Sequence, residues 1–521
     1  MTSLLHRQSL ADLLRRPAAR YPNRPAIRCG ALQWTWRDFE RIVARLAAGL
    51  AADGVGRGDR YAILARNSHA YAALRFALAR LGAVLVPVNF MLTADEAAYI
   101  LRHSGATRLA VDSGMAELGR AAAARDTRVE RLVWLPSEAP TTPLPGALSF
   151  DELARCEALP PEVGIGRDDA LQIVYTSGTE SLPKGALLSH GAVIDQYHSC
   201  IIDGEMHEGD TVLHALPLYH CAQLDCFLGP CVMLGSSSVI TAAPTPENLL
   251  PLLAGHRITS FFAPPTVWIS LLRSPLFDAV DLTALRKGYY GASIMPVAVM
   301  REISQRLPQI RLWNFYGQTE IAPLATVLKP EDQLRKPGSA GRPVLHVETR
   351  IVDEAMNDVA PGQIGEIVHR SPQLLQGYYR DPERTAAAFA GGWFHSGDLA
   401  VADDEGYITV VDRKKDMIKT GGENVASREV EEALYRLAGV SEVAVIGLPH
   451  PRWVEAVTAV VVVKPGHALG AADVLAHAAQ QLAGFKCPKA VVFVDALPKN
   501  PSGKLLKREL RQRLQAHFDA A

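Results

Sequence analysis

Residues 171–190 read LQIVYTSGTESLPKGALLSH. Leu171 to Tyr175 is a short apolar run that suits a buried strand. From Ala186 a second apolar run leads towards a helix near His190. Between them lie Thr176, Ser177, Gly178 and Thr179, then Pro183, Lys184 and Gly185. So small a loop lets backbone N–H groups and hydroxyls crowd round a phosphate, and Lys184 adds one mobile positive charge. The predicted use is a nucleotide triphosphate cradle. A plain surface hairpin would also favour the Gly and Pro, but it has no need of the Thr-Ser-Gly-Thr run.

The spacing is not that of a Walker loop, in which a Ser or Thr follows the lysine to hold magnesium; here Gly185 follows Lys184. Kinase-like and GTPase-like folds are disfavoured accordingly. The run instead resembles the signature of the adenylate-forming superfamily, which holds acyl-CoA synthetases, luciferases and peptide-synthetase adenylation domains. That signature is Thr-Ser-Gly-Thr-Thr-Gly, one residue, then Pro-Lys-Gly. This chain departs from it at Glu180 and Ser181, where Thr-Gly is expected. A carboxylate facing a triphosphate is repelled unless it turns outward or shares a cation.

Further motifs follow in the superfamily's order. Trp313 to Glu320 reads WNFYGQTE. Bringing ATP's α-phosphorus up to a carboxylate makes two like charges meet, and Mg2+ held by few protein carboxylates is the simplest remedy. Glu320 is assigned to that metal, with Thr319 donating to the α-phosphate. Tyr316, beside Gly317, is predicted to lie against adenine. The resemblance implies that His220, in Leu213 to Gln223, lies beside the acyl substrate's carboxyl end. It also implies that Gly291, Ala292 and Ser293 pass close to the adenine. His220 is expected at a strand's carboxyl end. Asp398 can accept both ribose hydroxyls on its two oxygens, and Arg413 supplies a fork of donors on the ribose side. Lys504, in PKNPSGK, falls where the family's lysine bridges the substrate carboxylate and the α-phosphate, as a point charge. Lys415 sits at the family's hinge. The loop at Gly421 and Gly422, with Trp453, Phe485 and Lys489, falls where relatives receive coenzyme A, although Cys487 stands where those relatives often carry a basic residue.

At 521 residues the chain exceeds what one core usually supports, so two domains are expected: 1–413 as the AMP-binding body and 414–521 as a mobile tail. Strand-like runs alternate with Ala/Leu-rich helices from Ala26 to Asp112, which predicts an α/β body with parallel strands. Residues 113–167 read as surface connections. Residues 338–412 read as a small β-barrel-like module, and the tail has its own α+β pattern. Leu10, Leu13 and Leu14 fit a first amphipathic helix better than a transit peptide. Ser427 is expected to cap the helix it begins.

A net charge of −1 gives no field for nucleic acid. Seven scattered cysteines read as reduced thiols in a cytoplasmic enzyme, and no apolar run reaches the ~20 residues that span a bilayer. The expected reaction joins a monocarboxylic acid, fatty or aryl, to coenzyme A through an acyl-adenylate, releasing pyrophosphate and AMP. Phe261, Phe262, Trp268, Tyr289 and Tyr290 are expected to wall the acyl tunnel, with no obvious Lys or Arg for a second carboxylate. Two alternatives stay open: an acyl-AMP ligase that loads an acyl carrier protein, and a nucleotide-binding regulator. Retention of Lys504 argues against the regulator. A homodimer is left open.

Overall fold

The computed structural model describes residues 8–139, 141–176, 182–414, 416–420, 423–499 and 505–518. The chain divides into two compact units, residues 1–348 with 370–394, and residues 349–369 with 395–521. The division expected after Arg413 falls inside the second unit.

The first unit is built on two sheets. A nine-stranded sheet has a parallel centre, in which Arg311–Gly317, Lys287–Gly291, Ser260–Phe262, Thr211–His214, Ser237–Ile240 and Pro25–Cys29 lie side by side in that order. An eight-stranded sheet is parallel through Ala170–Thr176, Val84–Pro87, Arg60–Leu64, Arg108–Val111, Arg131–Trp134 and Leu148–Ser149. Its last two strands, with the helices Ala116–Ala123 and Phe150–Ala154, come from the stretch expected to be surface connections. Four and two residues of strand carry too little alternation to stand out against Pro-rich flanks.

The helix His69–Leu81 is buried along its whole length, including Arg75 and Arg80. A helix apolar on nearly every face belongs inside a core. Arg75 is accommodated because Asp225 lies 2.5 Å from it, with Gln172 bonded to both (2.6 and 2.8 Å). The N-terminal helix Leu10–Arg20 buries Leu10, Leu13 and Leu14, as its leucine spacing predicts. Among the described residues no helix is long and apolar enough to cross a membrane.

In the second unit, Glu348–Val352, Gly365–Arg370, Phe394–Ala402 and Ile408–Arg413 form an open four-stranded sheet instead of the expected barrel-like module. Four short strands are too few to close round a packed interior. Elsewhere in this unit Val440–His450 pairs antiparallel with Val454–Val463, and Ala490–Phe493 adds in parallel. Val443 and Val445 pack on one face of that sheet, Ala444, Ile446 and Leu448 on the other, as strand alternation requires.

Candidate active site

The strand Ala170–Thr176 turns back antiparallel into Lys184–Ser189, with Thr176 directly opposite Lys184. The phosphate-loop run therefore connects two antiparallel strands, and the helix His190–Asp203 follows the second. Ser177, Gly178, Thr179, Glu180 and Ser181 lie outside the described residues. Thr176 Oγ1 is buried and has no hydrogen-bond partner among the described residues. A buried hydroxyl beside the phosphate loop can donate to a ligand oxygen.

The second arm of the site leaves two neighbouring parallel strands at their carboxyl ends, where open α/β sheets bind ligands. Lys287–Gly291 runs into Ala292 and Ser293, and Arg311–Gly317 runs into the turn Thr319–Ile321. Gly291 is paired with Phe315, and a Cβ there would stand 2.5 Å from the Phe315 carbonyl oxygen. At Gly317 a Cβ would stand 1.9 Å from the Pro323 carbonyl. The packing of the chain on itself thus demands both glycines, before any ligand is considered. Ala292, exposed, has φ +64°, a left-handed conformation that strains a residue with a Cβ. Tyr316 is half-buried beside it, at the end of its strand.

The two arms meet at one residue that the sequence motifs do not include. Gly377–Tyr378 adds as a short strand to Lys184–Ser189, with Tyr378 opposite Ala186. This puts the Tyr378 hydroxyl between the arms: it accepts from Lys184 Nζ at 2.5 Å and donates to Glu320 Oε1 at 3.0 Å. Lys184 Nζ is itself 3.2 Å from Glu320 Oε1 and 4.1 Å from the Tyr378 ring centroid. Burial and the Glu320 carboxylate raise the phenol's pKa, so it stays a neutral donor. Among the described residues both of these contacts fall on Oε1 of a buried carboxylate, so Oε2 could face a hard divalent cation. The residues present fit the expected metal.

His220 is not at a strand end as expected. Thr211–His214 stops earlier, and Pro217 breaks any continuation. His220 instead begins the short helix Cys221–Gln223, its Nδ1 accepting the Ala222 N–H at 3.2 Å. The next residue links this segment to the metal turn, since Cys221 Sγ lies 3.3 Å from Thr319 Oγ1. Burial pushes the Cys221 thiol up, so it is a neutral partner.

The aromatic residues expected to wall one tunnel divide between two cores. Phe261, Trp268 and Tyr290 pack together, whereas Phe262 and Tyr289 join Phe227, Trp313 and Phe315. Successive strand residues point to opposite faces, so Phe261-Phe262 and Tyr289-Tyr290 cannot line a single wall.

In the second unit, Asp398 and Arg413 are direct cross-strand partners, with Arg413 Nε 3.3 Å from Asp398 Oδ1. The adjacent Asp412 accepts both the N–H and the Oγ–H of Ser427 at 2.7 Å. Ser427 therefore does not cap its own helix; Ala426 is the N-cap, and Ser427 is held by a buried carboxylate. Lys489 Nζ lies 5.5 Å from the Trp453 ring centroid, and Lys486 Nζ 5.7 Å from that of the exposed Phe485. Cation-bearing aromatic surfaces of this kind suit a nucleotide's base and phosphates. Lys415, Gly421, Gly422 and Lys504 lie outside the described residues.

Residues 14–379 match the AMP-binding enzyme family, and residues 429–504 match the AMP-binding enzyme C-terminal domain. This chain belongs to the AMP-binding enzymes. A feruloyl-CoA synthase of Amycolatopsis sp is 37% identical to it over 509 residues, covering 98% of this chain and 100% of that protein. A long-chain-fatty-acid–CoA ligase of Mycobacterium tuberculosis is 34% identical over 491 residues, covering 93% and 94%. A fatty acid–[acyl-carrier-protein] ligase of Streptomyces coeruleorubidus is 33% identical over 523 residues, covering 98% of each. Among solved structures, the anthranilate CoA ligase AuaEII in complex with anthranoyl-AMP has a TM-score of 0.91 at 26% identity, covering 99% of this chain and 98% of that one.

Within this AMP-binding enzyme two motif residues of the first unit, Lys184 and Glu320, meet, with Tyr378 bonded to both. The residues that motif reading missed are Tyr378 and Cys221. Tyr378 carried only an aromatic doublet, Tyr378-Tyr379, as a signal. Cys221 carried only its place after His220.

Proposed function

We propose that this AMP-binding enzyme joins a monocarboxylic acid, fatty or aryl, to coenzyme A in two steps, with an acyl-adenylate between them. The observation that carries the reading is the Lys184–Tyr378–Glu320 contact, which brings the phosphate-loop cation and a buried carboxylate to one point. ATP's phosphates are received by Lys184 and Thr176, with Ser177, Gly178 and Thr179 completing the loop. Glu320 would hold Mg2+, which when bound neutralises phosphate charge. Thr319, fixed by Cys221, donates to the α-phosphate, and His220 orients the incoming carboxylate. Gly291, Ala292, Ser293, Tyr316 and Gly317 form the adenine edge, while Asp398 and Arg413 take the ribose. Lys504 bridges carboxylate and α-phosphate as the oxygen of the acid attacks phosphorus and pyrophosphate leaves. No protein nucleophile takes part, so the rate comes from positioning and charge stabilisation.

For the second step, Trp453, Phe485 and Lys489 receive the coenzyme A nucleotide, and Gly421 and Gly422 line the thiol's path. The pivot is Lys415, at the division between 1–413 and 414–521. The test is pyrophosphate release with ATP, Mg2+ and a panel of C2 to C16, benzoic and cinnamic acids, followed by AMP release on adding coenzyme A. Acid-dependent pyrophosphate release with AMP released only for a carrier protein would support the carrier-loading reading. No acid-dependent pyrophosphate release would reject both.

A further inference from the structure

The helix that follows the phosphate hairpin carries a second group of ligating side chains outside the adenylation machinery. Asp195 and His198 stand three residues apart on His190–Asp203, hence on one face, and His346 reaches the same point from the turn after Val344. One ligand atom from each of the three lies within 4.8 Å of the others. We infer that Asp195, His198 and His346 form a binding site for a divalent transition-metal ion of the zinc type.

The two ligands on the helix do not hydrogen-bond to one another. His198 Nδ1 stands 4.0 Å from Asp195 Oδ1, too far for a hydrogen bond. Two atoms each about 2.0–2.2 Å from a tetrahedral zinc lie roughly 3.5 Å apart, so a small side-chain adjustment closes the site. The His198 and His346 rings lie 5.9 Å apart, inclined at 54°. Two imidazoles and one carboxylate favour Zn2+, Ni2+ or Cu2+ over Mg2+, which takes oxygen ligands.

The frame is already in place. Arg167 donates to Asp195 Oδ2 at 2.6 Å, which fixes the carboxylate with Oδ1 towards His198. Such outer partners of a ligand set its orientation. On the other side, the Leu345 N–H donates to Asp203 Oδ2 at 2.9 Å, and Ser371 Oγ donates to the His346 carbonyl at 2.7 Å. The turn bearing His346 is thus tied to the same helix before any ion arrives. His346 is two residues from the point where the chain leaves the first unit at Glu348. A bound ion would fasten helix to turn and stabilise the folded unit.

The test uses the full chain without a polyhistidine tag, stripped with a chelator and titrated with Zn2+ against a chromophoric competitor. One equivalent should bind apart from weaker uptake and raise the melting temperature. Co2+ in its place should show visible bands of nitrogen and oxygen coordination. His198→Ala and His346→Ala should each lose that equivalent and the zinc-dependent rise, while keeping the metal-free melting temperature and acid-dependent pyrophosphate release. Should His198→Ala disturb its helix, His346→Ala, on a turn, decides the matter. Zinc uptake unchanged in His346→Ala, or no distinct equivalent in the unaltered chain, overturns the proposal.

Discussion

Lys184 Nζ stands 3.2 Å from Oε1 of Glu320, so the cation of the phosphate loop and the carboxylate assigned to magnesium neutralise one another. A bound phosphate would compete with Glu320 for Lys184, and the Glu320 carboxylate would hold a metal ion. The Tyr378 hydroxyl is bonded to both and fixes the orientation of the carboxylate. Substituting Glu320→Gln is expected to lower acid-dependent ATP–pyrophosphate exchange by about 10²-fold, the usual scale for losing one charge-stabilising group. The Mg2+ needed for half-maximal rate should rise with it. An unchanged Mg2+ dependence would remove Glu320 from the metal site.

Tyr378→Phe deletes one hydroxyl and keeps the ring. A net hydrogen bond of about 1–1.5 kcal/mol predicts roughly a tenfold fall in kcat/KM for ATP. The KM for the acid should hardly move. Steady-state kinetics with each substrate varied separates this from general loosening of the fold.

Substitution of the two lysines of the tail is expected to separate the half-reactions. Lys504→Ala should abolish adenylate formation and leave thioester formation from supplied acyl-adenylate. Lys415→Pro should do the reverse, and equal loss of both steps in the proline variant would remove Lys415 from the pivot. Trp453→Ala and Lys489→Ala are expected to raise the KM for coenzyme A while pyrophosphate release stays intact.

Arg75 and Asp225 are both buried, 2.5 Å apart. Asp225→Ala strands a guanidinium in the core and should remove about 3–5 kcal/mol of stability. Gln172, bonded to both partners, lies in the strand that ends at Thr176, so ATP affinity should weaken as well. Thermal denaturation and the KM for ATP check the two effects.

His190 is fully buried, and its Nδ1 accepts the Leu10 N–H at 3.1 Å. Burial pushes its pKa down to about 4. The unfolded chain takes up this proton near pH 6.5 and the native chain only near pH 4, so protons favour unfolding between those values. The stabilisation is whole above about pH 6.5 and falls as pH drops towards 4, by about 3 kcal/mol for this residue. His190→Gln should flatten the acid limb of the stability profile. An identical acid midpoint in the variant would show that His190 is not the group responsible.

The α/β body and the order of the motifs were legible in the amino-acid order alone. Apolar strands punctuated by small residues, and a Lys, a Glu and a Thr at motif spacing, are local properties that the chain displays directly. It also indicated the buried N-terminal helix, because three leucines at helical spacing need no partner to be recognised. The short strands Arg131–Trp134 and Leu148–Ser149 were not legible, since their strand character comes from the sheet they join. The packing of the chain put Tyr378, nearly two hundred residues from Lys184, between that lysine and Glu320. It alone divided five aromatic residues between two cores and open-ended the small β sheet. Pairing register and the face a side chain takes depend on which distant strand becomes the neighbour, and no local pattern encodes that choice.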